Sequence, residues 1–267
     1  MRFIVQGYPA FAYTGGRPFD PKLPAIVFVH GAAFDHSVWQ WQSRYFAHHG
    51  FTVLALDLPA HGRSPGLARN TIESMADWVA LFIEAAGLER AHVVGQSMGS
   101  LVALDVALRH RQRVDRLALI ATAIPMVVND AFLAAARDDS PVGFEMETTW
   151  GHARNSALTQ SPVPGLSLTG ASHRLIERAL PGVQHADLAA CYAYRPSMDA
   201  VRALDVPTLV IGGSRDQMTG AKAGAALAKE VPGAQFVLLD AGHSVMIEAP
   251  RPTLATLTRF LEPGRLH

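Results

Sequence analysis

The sequence predicts an α/β fold in which a mostly parallel central sheet is covered by helices on both faces. Short runs rich in β-branched residues alternate with longer segments whose apolar residues recur at helical spacing. With 267 residues, 49% of them hydrophobic and 17% charged, the chain can bury one sizeable core. The alternation stops between residues 123 and 203, which indicates a small, mainly helical insertion.

The predicted main strands are the short apolar runs of this pattern. They cover residues 25–30, 51–57, 91–96, 114–122, 207–213 and 234–240. Their alternation with helical segments is typical of a parallel sheet, because parallel neighbours need a crossover connection. A further pair, around residues 2–6 and 10–14, is predicted to add an antiparallel edge.

One predicted helix, over residues 71–87, shows both end signals. Thr71 is a favoured N-cap residue, and Gly87 suits the position just past a helix C-terminus. One stripe holds the apolar side chains Ile72, Met75, Val79, Phe82 and Ile83. Such a stripe indicates a surface helix that packs one face on the core. The same pattern predicts helices over residues 37–49, 98–110, 219–230 and 251–261.

Residues 123–203 are predicted to form a cap, because about 80 residues are too many for a simple loop. The segment is rich in Pro, Gly, Ser and Thr, with a few helical patches such as "DLAACYAYR". We therefore predict a core made of residues 1–122 and 204–267, and a mainly helical cap of residues 123–203 that covers a site.

Charge and cysteine content narrow the function classes. Basic and acidic residues number 23 each, so the chain has no electrostatic basis for binding nucleic acid or an anionic membrane. The single cysteine, Cys191, cannot form an internal disulfide, and neither a signal peptide nor a membrane span is evident. We expect a cytoplasmic monomer or homodimer that acts on a small-molecule substrate.

No metal or cofactor is expected. No Cys/His cluster has the spacing of a zinc site. The glycines of "GQSMGS" are spaced wrongly for a dinucleotide-binding G-x-G-x-x-G motif.

The pentapeptide Gly95-Gln96-Ser97-Met98-Gly99 lies where the third main strand meets a helix. A serine hydroxyl is a weak nucleophile that needs an exposed position, a base and an anion-stabilising pocket. A sharp strand-to-helix turn exposes the hydroxyl, and glycines two positions to either side avoid a clash. The amides at the start of the helix point at a developing oxyanion. The pentapeptide therefore predicts a nucleophile elbow with Ser97 at its tip.

A nucleophile on the third main strand predicts an acid after a later strand and a histidine after the last one. Asp216 in "VIGGSRDQMTG" and His243 in "LLDAGHSVMIEAP" follow the fifth and sixth predicted main strands. The three residues occur in the chain order Ser, Asp, His that this arrangement requires.

Five motifs in this order resemble those of the α/β-hydrolase superfamily: "FVHGAAFDHSVW", "LALDLPAHGRS", "VVGQSMGS", "PTLVIGGSRD" and "AGHSVMIEAP". The resemblance covers essentially the whole chain and implies the α/β-hydrolase fold, with the cap inserted before the strand that precedes the acid. It implies that Ser97 is the nucleophile, His243 the general base and Asp216 the residue that orients the imidazole.

The oxyanion hole is expected to combine the backbone amide of Met98 with an amide from the loop after "VHG". By the same resemblance the second donor is Ala32, with Ala33 as the alternative.

Other histidines and aspartates are alternatives for the base and the acid. His30, at a strand end, is expected to brace the oxyanion loop, and His61 to lie in a turn. Only His243 lies just past the final strand. Asp240 is the alternative acid, three residues before His243, whereas Asp57 is expected to be structural.

Four residues are candidates for contact with substrate: Ala33, Trp150, Tyr194 and Met218. The alternative for Trp150, Tyr194 and Met218 is that their side chains only pack the cap onto the core.

The predicted activity is hydrolysis of a carboxylic ester of a small to medium apolar substrate through an acyl-enzyme. Carbon–carbon bond hydrolases share the three residues, but those acting on ring-cleavage products often have Trp directly after the histidine, where this chain has Ser244. The "QSMG" elbow is also similar to that of cofactor-free haloperoxidases and perhydrolases. A non-enzymatic ligand receptor is the remaining alternative.

Overall fold

A computed structural model describes residues 1–156 and 165–262. Its strands are β1 (Arg2–Val5), β2 (Tyr8–Tyr13), β3 (Ala25–Val29), β4 (Thr52–Leu56), β5 (Ala91–Gln96), β6 (Val114–Ile120), β7 (Thr208–Gly213) and β8 (Gln235–Leu239). They form an eight-stranded sheet in the order β1-β2-β4-β3-β5-β6-β7-β8. β1 pairs antiparallel with β2 and β2 with β4, and all other neighbours are parallel. The predicted sheet and its antiparallel edge are confirmed.

Helices cover both faces of the sheet. They are α1 (Gln40–Ala47), α2 (Ile72–Ala85), α3 (Met98–Arg109), α4 (Asp130–Arg137), α5 (Pro141–Trp150), α6 (Leu168–Glu177), α7 (Val183–Ala193), α8 (Met198–Arg202), α9 (Ala221–Glu230), α10 (Val245–Glu248) and α11 (Pro250–Leu261). Thr71 caps α2 as predicted, because its side chain accepts a hydrogen bond from the Ser74 amide at 3.1 Å. None of the helices in the described ranges is long and apolar enough to cross a bilayer.

Strand side chains alternate between two apolar clusters, one on each face of the sheet. On β3, Val27 and Val29 belong to one cluster, and Ile26 and Phe28 to the other. α2 and α3 pack into the first cluster, and α1 and α11 into the second. This burial on both faces fixes the position of the central strands, whose carboxyl ends meet at one edge of the sheet.

The described residues between β6 and β7 form five helices, α4 to α8. We call this part of the chain, residues 130–202, the helical insertion. Apolar side chains of the helical insertion join the clusters of the sheet, as Phe132 and Leu188 do on one side and Ile176 on the other. Residues 157–164 of the predicted cap and 263–267 of the predicted core lie outside the described residues. The division into core and cap stays a prediction.

Candidate active site

Ser97 occupies a strained turn between β5 and α3. Its φ is 53° and its ψ is −121°, a backbone conformation that residues with a side chain rarely adopt. A Cβ on Gly95 would lie 1.9 Å from the Gly99 carbonyl oxygen, and one on Gly99 would lie 2.3 Å from the Val29 oxygen. Both positions therefore require glycine, as the elbow motif predicts, and the tight packing holds the serine at the tip of the turn.

His243 and Asp216 meet at the same edge of the sheet, after β8 and β7. The Nδ1–H of His243 donates to Asp216 Oδ2 at 2.9 Å, and both side chains are almost wholly buried. The amides of Met218 and Thr219 donate to Asp216 Oδ1 at 2.8 and 2.9 Å, and the Thr219 hydroxyl donates to Oδ2 at 2.8 Å. The carboxylate thus has four donors, which fix its position and that of the imidazole.

These donors keep Asp216 ionised. Burial alone raises the pKa of the carboxyl, but attraction to His243 and the hydrogen bonds from His243 and Thr219 outweigh burial and lower the pKa to about 2. Because an ionised carboxylate only accepts hydrogen bonds, the proton between the two residues belongs to Nδ1 of His243. In the neutral imidazole, Nε2 is then left as an acceptor.

Nε2 of His243 is buried and has no hydrogen-bond partner among the described residues. Ser97 and His243 line the same cavity of about 100 Å³, but no hydrogen bond joins them in the described structure. A serine–histidine hydrogen bond is often long or poorly aligned in a site without substrate. The arrangement leaves the unpaired Nε2 of His243 and the side chain of Ser97 in the lining of one cavity.

The amides of Ala32 and Met98 have no acceptor among the described residues. Ala32 lines the cavity in the loop after β3, and Met98 begins α3 directly after Ser97. The amide of Ala33, the alternative donor, instead donates to Asp187 Oδ2 at 2.9 Å. Ala33 is therefore not free to bind an oxyanion in this structure.

Asp187 on α7 connects the helical insertion to the loop after β3. Its side chain is fully buried, and the same Oδ2 accepts a hydrogen bond from His61 Nε2 at 2.8 Å. His61 Nδ1 is 3.0 Å from the Pro59 carbonyl, so both ring nitrogens face acceptors. Burial lowers the pKa of His61, but the charge and hydrogen bond of Asp187 outweigh burial, and the net pKa is raised. The acceptors at both ring nitrogens therefore favour the protonated form of His61.

His30 lies against His61, with ring centroids 4.8 Å apart, but its own hydrogen bonds define an uncharged ring. Its Nδ1 donates to the Gly31 carbonyl at 2.8 Å, and its Nε2 accepts from the Leu58 amide at 3.1 Å, which defines a neutral ring. Burial and then the charge of His61 lower the pKa of His30 to about 4. This neutral ring holds the loop that contains Ala32, in agreement with the expected bracing.

A second connection joins the helical insertion to the His243 loop. Glu248 on α10 accepts from the Gly242 amide at 3.1 Å and from the Ala153 amide at 3.0 Å. The Ser244 amide donates to the Gly151 carbonyl at 2.9 Å. Sequence reasoning missed Asp187 and Glu248, because Asp187 binds the amide of Ala33 and Glu248 that of Ala153, both far away along the chain. Thr219 could have been suspected from its position three residues after Asp216, the spacing of a local side-chain turn.

The cavity contains two of the four predicted substrate-binding residues, Trp150 and Met218. Its other lining residues are Gly31, Ala32, Phe34, Gln96, Ser97, Met126, Val127, Val128, Asn129, Phe132, Glu147, Gly151, Leu188, Cys191, Gln217, Thr219, His243 and Ser244. The structure does not bring Tyr194 there: its hydroxyl donates to Asp105 Oδ1 at 2.9 Å, and its ring packs in the core. Ala33 also lies outside this lining.

The alternative acids have other partners. Asp240 is largely exposed and forms an ion pair with Arg215 at 3.0 Å. Asp57 is buried and accepts hydrogen bonds from the amides of His36 and Arg63. Asp35, His36 and Asp57 bring three possible metal-ligand atoms within 4.8 Å of one another. Protein donors already bind the carboxylates of both aspartates, so this cluster is explained by local structure.

The fold and these motifs match proteins that are already known. The family model of the α/β hydrolase fold matches residues 24–250. The chain belongs to the α/β-hydrolase family. It is 25% identical over 250 residues to 3-oxoadipate enol-lactonase 1 of Acinetobacter baylyi, covering 90% of each chain. It is 29% identical over 228 residues to a pimeloyl-[acyl-carrier protein] methyl ester esterase of Neisseria meningitidis, covering 79% of this chain and 83% of the relative.

A solved α/β-hydrolase structure has the same fold. The enol-lactonase from Burkholderia xenovorans superposes with a TM-score of 0.84 at 24% identity, over 98% of this chain and 99% of the other. The architecture of the sheet and its helices is therefore that of the α/β hydrolases.

The elbow generates a prediction about stability. Gly95→Ala forces a Cβ into the Gly99 backbone, so we expect the free energy of unfolding to fall by at least about 2 kcal/mol. The matched control is Gly224→Ala in α9, where the nearest atom to the new Cβ is 3.5 Å away. That change should leave stability equal or raise it by up to about 1 kcal/mol. Urea denaturation measures both, and equal stabilities would contradict the packing argument.

The buried His61–Asp187 pair generates a prediction about pH. Because the folded-state pKa of His61 is raised, its contribution to stability is fully present below the unfolded pKa of about 6.5 and is lost as pH rises through the folded value. We expect His61→Gln to cost about 3–5 kcal/mol at pH 5.5 and progressively less at higher pH.

The control is His110→Gln, which removes a partly exposed histidine–aspartate pair with Asp77 and should cost less than about 1 kcal/mol. Urea denaturation between pH 5.5 and 9 provides the comparison. A cost for His61→Gln that does not change with pH would show that folding does not raise the pKa of His61, and a cost that increases with pH would show that the fold lowers this pKa.

Proposed function

We propose that this protein hydrolyses carboxylic esters with small to medium, largely apolar acyl groups through an acyl-enzyme intermediate. The observation that supports the proposal best is the hydrogen bond from His243 to the ionised Asp216, placed in one cavity with the strained Ser97. The amides of Ala32 and Met98 have no acceptor among the described residues. Ala32 lies at the cavity wall, and Met98 directly follows Ser97 in the chain. A strained serine, an oriented imidazole and free amides are the components that acyl transfer requires.

In the proposed reaction, Ser97 Oγ attacks the ester carbonyl carbon while its proton moves to Nε2 of His243. Asp216 stays ionised, holds the proton on Nδ1 and stabilises the imidazolium that forms. The carbonyl oxygen becomes an oxyanion that the amides of Met98 and Ala32 bind. When the intermediate collapses, the carbon–oxygen bond to the alcohol breaks and Nε2 donates its proton to the leaving alcohol. Water activated by His243 then hydrolyses the acyl-enzyme.

The lining of the cavity favours a neutral acyl group. Its described residues include no Lys or Arg that could pair with an anionic substrate, and half of them contribute apolar side chains. A cavity of about 100 Å³ favours a short acyl chain. The two curated relatives are named for a lactone and a methyl ester, both of which are cleaved at an acyl–oxygen bond. These points favour ester hydrolysis over cleavage of a carbon–carbon bond.

The nucleophile is tested by Ser97→Ala. We expect the variant to lose hydrolysis of 4-nitrophenyl acetate, butyrate and hexanoate by a factor of roughly 10⁴ to 10⁶ in kcat, because no group remains to form the acyl-enzyme. Release of 4-nitrophenol is followed by absorbance.

The matched control is Ser43→Ala, which removes a buried hydroxyl that has no hydrogen-bond partner in the described structure and lies outside the cavity. It should retain wild-type turnover. If the wild type hydrolyses none of the esters, the proposed function is wrong.

The role of Asp216 as the acid is tested by comparing two single variants, Asp216→Asn and Asp240→Asn. A neutral amide at the first position cannot hold the correct tautomer of His243 or stabilise the imidazolium, so we expect kcat to fall by about 10⁴. Asp240 is exposed and bound to Arg215, and its replacement should change kcat by less than about twofold. Steady-state kinetics at pH 7.5 measure both, and the opposite ranking would assign the acid to Asp240.

A further inference from the structure

We propose that Glu147 is a specificity-determining residue that donates a hydrogen bond to a neutral keto, hydroxyl or ether oxygen in the acyl part of the substrate. The inference rests on the proposed function, because it concerns the group that the same cavity would hold next to the scissile ester. It defines the substrate class further, as esters whose acyl group carries one oxygen acceptor in addition to the ester.

Glu147 is an acid within an apolar wall. It lies on α5, one turn before Trp150, and both residues line the cavity that contains Ser97 and His243. Leu188 and Cys191 on α7 line the same wall. Glu147 is only 6% exposed, although acids are rarely buried in such surroundings without a partner. The helical insertion thus places one carboxyl group among apolar side chains at the substrate cavity.

The carboxyl group is only half satisfied by the protein. Oε2 accepts a hydrogen bond from Gln184 Nε2 at 2.6 Å, and the same amide group is 3.2 Å from the Gly143 carbonyl. Oε1 has no hydrogen-bond partner among the described residues. Glu147 lines the cavity, so this oxygen without a protein partner is open to a ligand group that completes its bonding.

The charges around Glu147 favour its neutral form. α7 presents the Cys191 thiol and Asp187, which is paired with His61. His243 lines the same cavity, and no Lys or Arg belongs to the described lining. Burial, reinforced by the charge of Asp187 and opposed by the Gln184 hydrogen bond, raises the pKa of Glu147 to about 8. At pH 7 the group therefore holds a proton and can donate it to an acceptor oxygen.

The same charges disfavour a charged acyl group. An anionic group would lose its hydration in the cavity without a Lys or Arg in the described lining to balance its charge. A cationic group would require Glu147 to ionise in a buried position. A neutral oxygen needs neither change, and it accepts the hydrogen bond that Glu147 can donate.

The test uses 4-nitrophenyl esters of equal chain length. Hexanoate is compared with 4-oxohexanoate and 5-oxohexanoate, and a glutarate half ester and a 5-(trimethylammonio)pentanoate ester supply the anionic and cationic groups. At pH 7 we expect kcat/KM of the wild type to be about tenfold higher for the better keto ester than for hexanoate, the effect of one hydrogen bond in a desolvated site.

Two variants separate donation from packing. Glu147→Leu should reduce the keto preference to within about twofold, because the donor is lost. Glu147→Gln keeps a donor that cannot ionise and should retain the preference. In the wild type the preference should fall as pH rises through about 8, whereas in the Gln variant it should not. The ratio of two substrates cancels the pH dependence of every step that both reactions share.

The outcomes are distinct. A keto preference that survives in the Leu variant, disappears equally in both variants, or stays constant with pH in the wild type would overturn the proposal. A wild type that prefers the cationic ester would also overturn it, because Glu147 would then act as an anion. Ester hydrolysis without any keto preference overturns only the role of Glu147, whereas no ester hydrolysis at all overturns the proposed function.

Discussion

The close packing of Gly95 and Gly99 around Ser97 is the constraint on which the rest of the site depends. β5 turns into α3 within one residue because Ser97 adopts a positive φ and the glycines two positions to either side allow a close approach without side chains. This turn places the serine hydroxyl at the cavity and the amide of Met98 beside it. Since β5 lies in the middle of the sheet, the buried strands on either side hold the turn in place.

The helical insertion does more than line the cavity. Asp187 binds the amide of Ala33, next to the proposed oxyanion donor Ala32, and Glu248 ties the loop of His243 to Ala153. The insertion is therefore hydrogen-bonded to both loops that flank Ser97. Its helices also supply Glu147, so that one segment contributes to the shape of the site and to the chemistry of its wall. This coupling makes the position of the insertion relevant to the proposed reaction itself.

Buried charge around this site follows the local hydrogen-bond partners. Two acceptors face the ring of His61 and favour its protonated form, whereas the adjacent His30 is neutral because one of its nitrogens accepts a backbone hydrogen bond. Asp216 is ionised because four donors surround it, whereas burial and a nearby negative charge favour the neutral form of Glu147. In each case the hydrogen-bond partners and neighbouring charges, and not the residue type, decide the charge state.

The sequence by itself determined the order of strands and helices, the elbow around Ser97 and the positions of Asp216 and His243 at strand ends, because these depend on local patterns: apolar periodicity, glycine spacing and chain order. Only the tertiary structure decided that Ala33 binds Asp187, that Tyr194 binds Asp105 away from the cavity, and that Glu147 faces the cavity. The physical reason is sequence separation. Hydrogen bonds that join residues 89 or 154 positions apart follow from how the helical insertion packs on the sheet, and no local pattern in the chain encodes that packing.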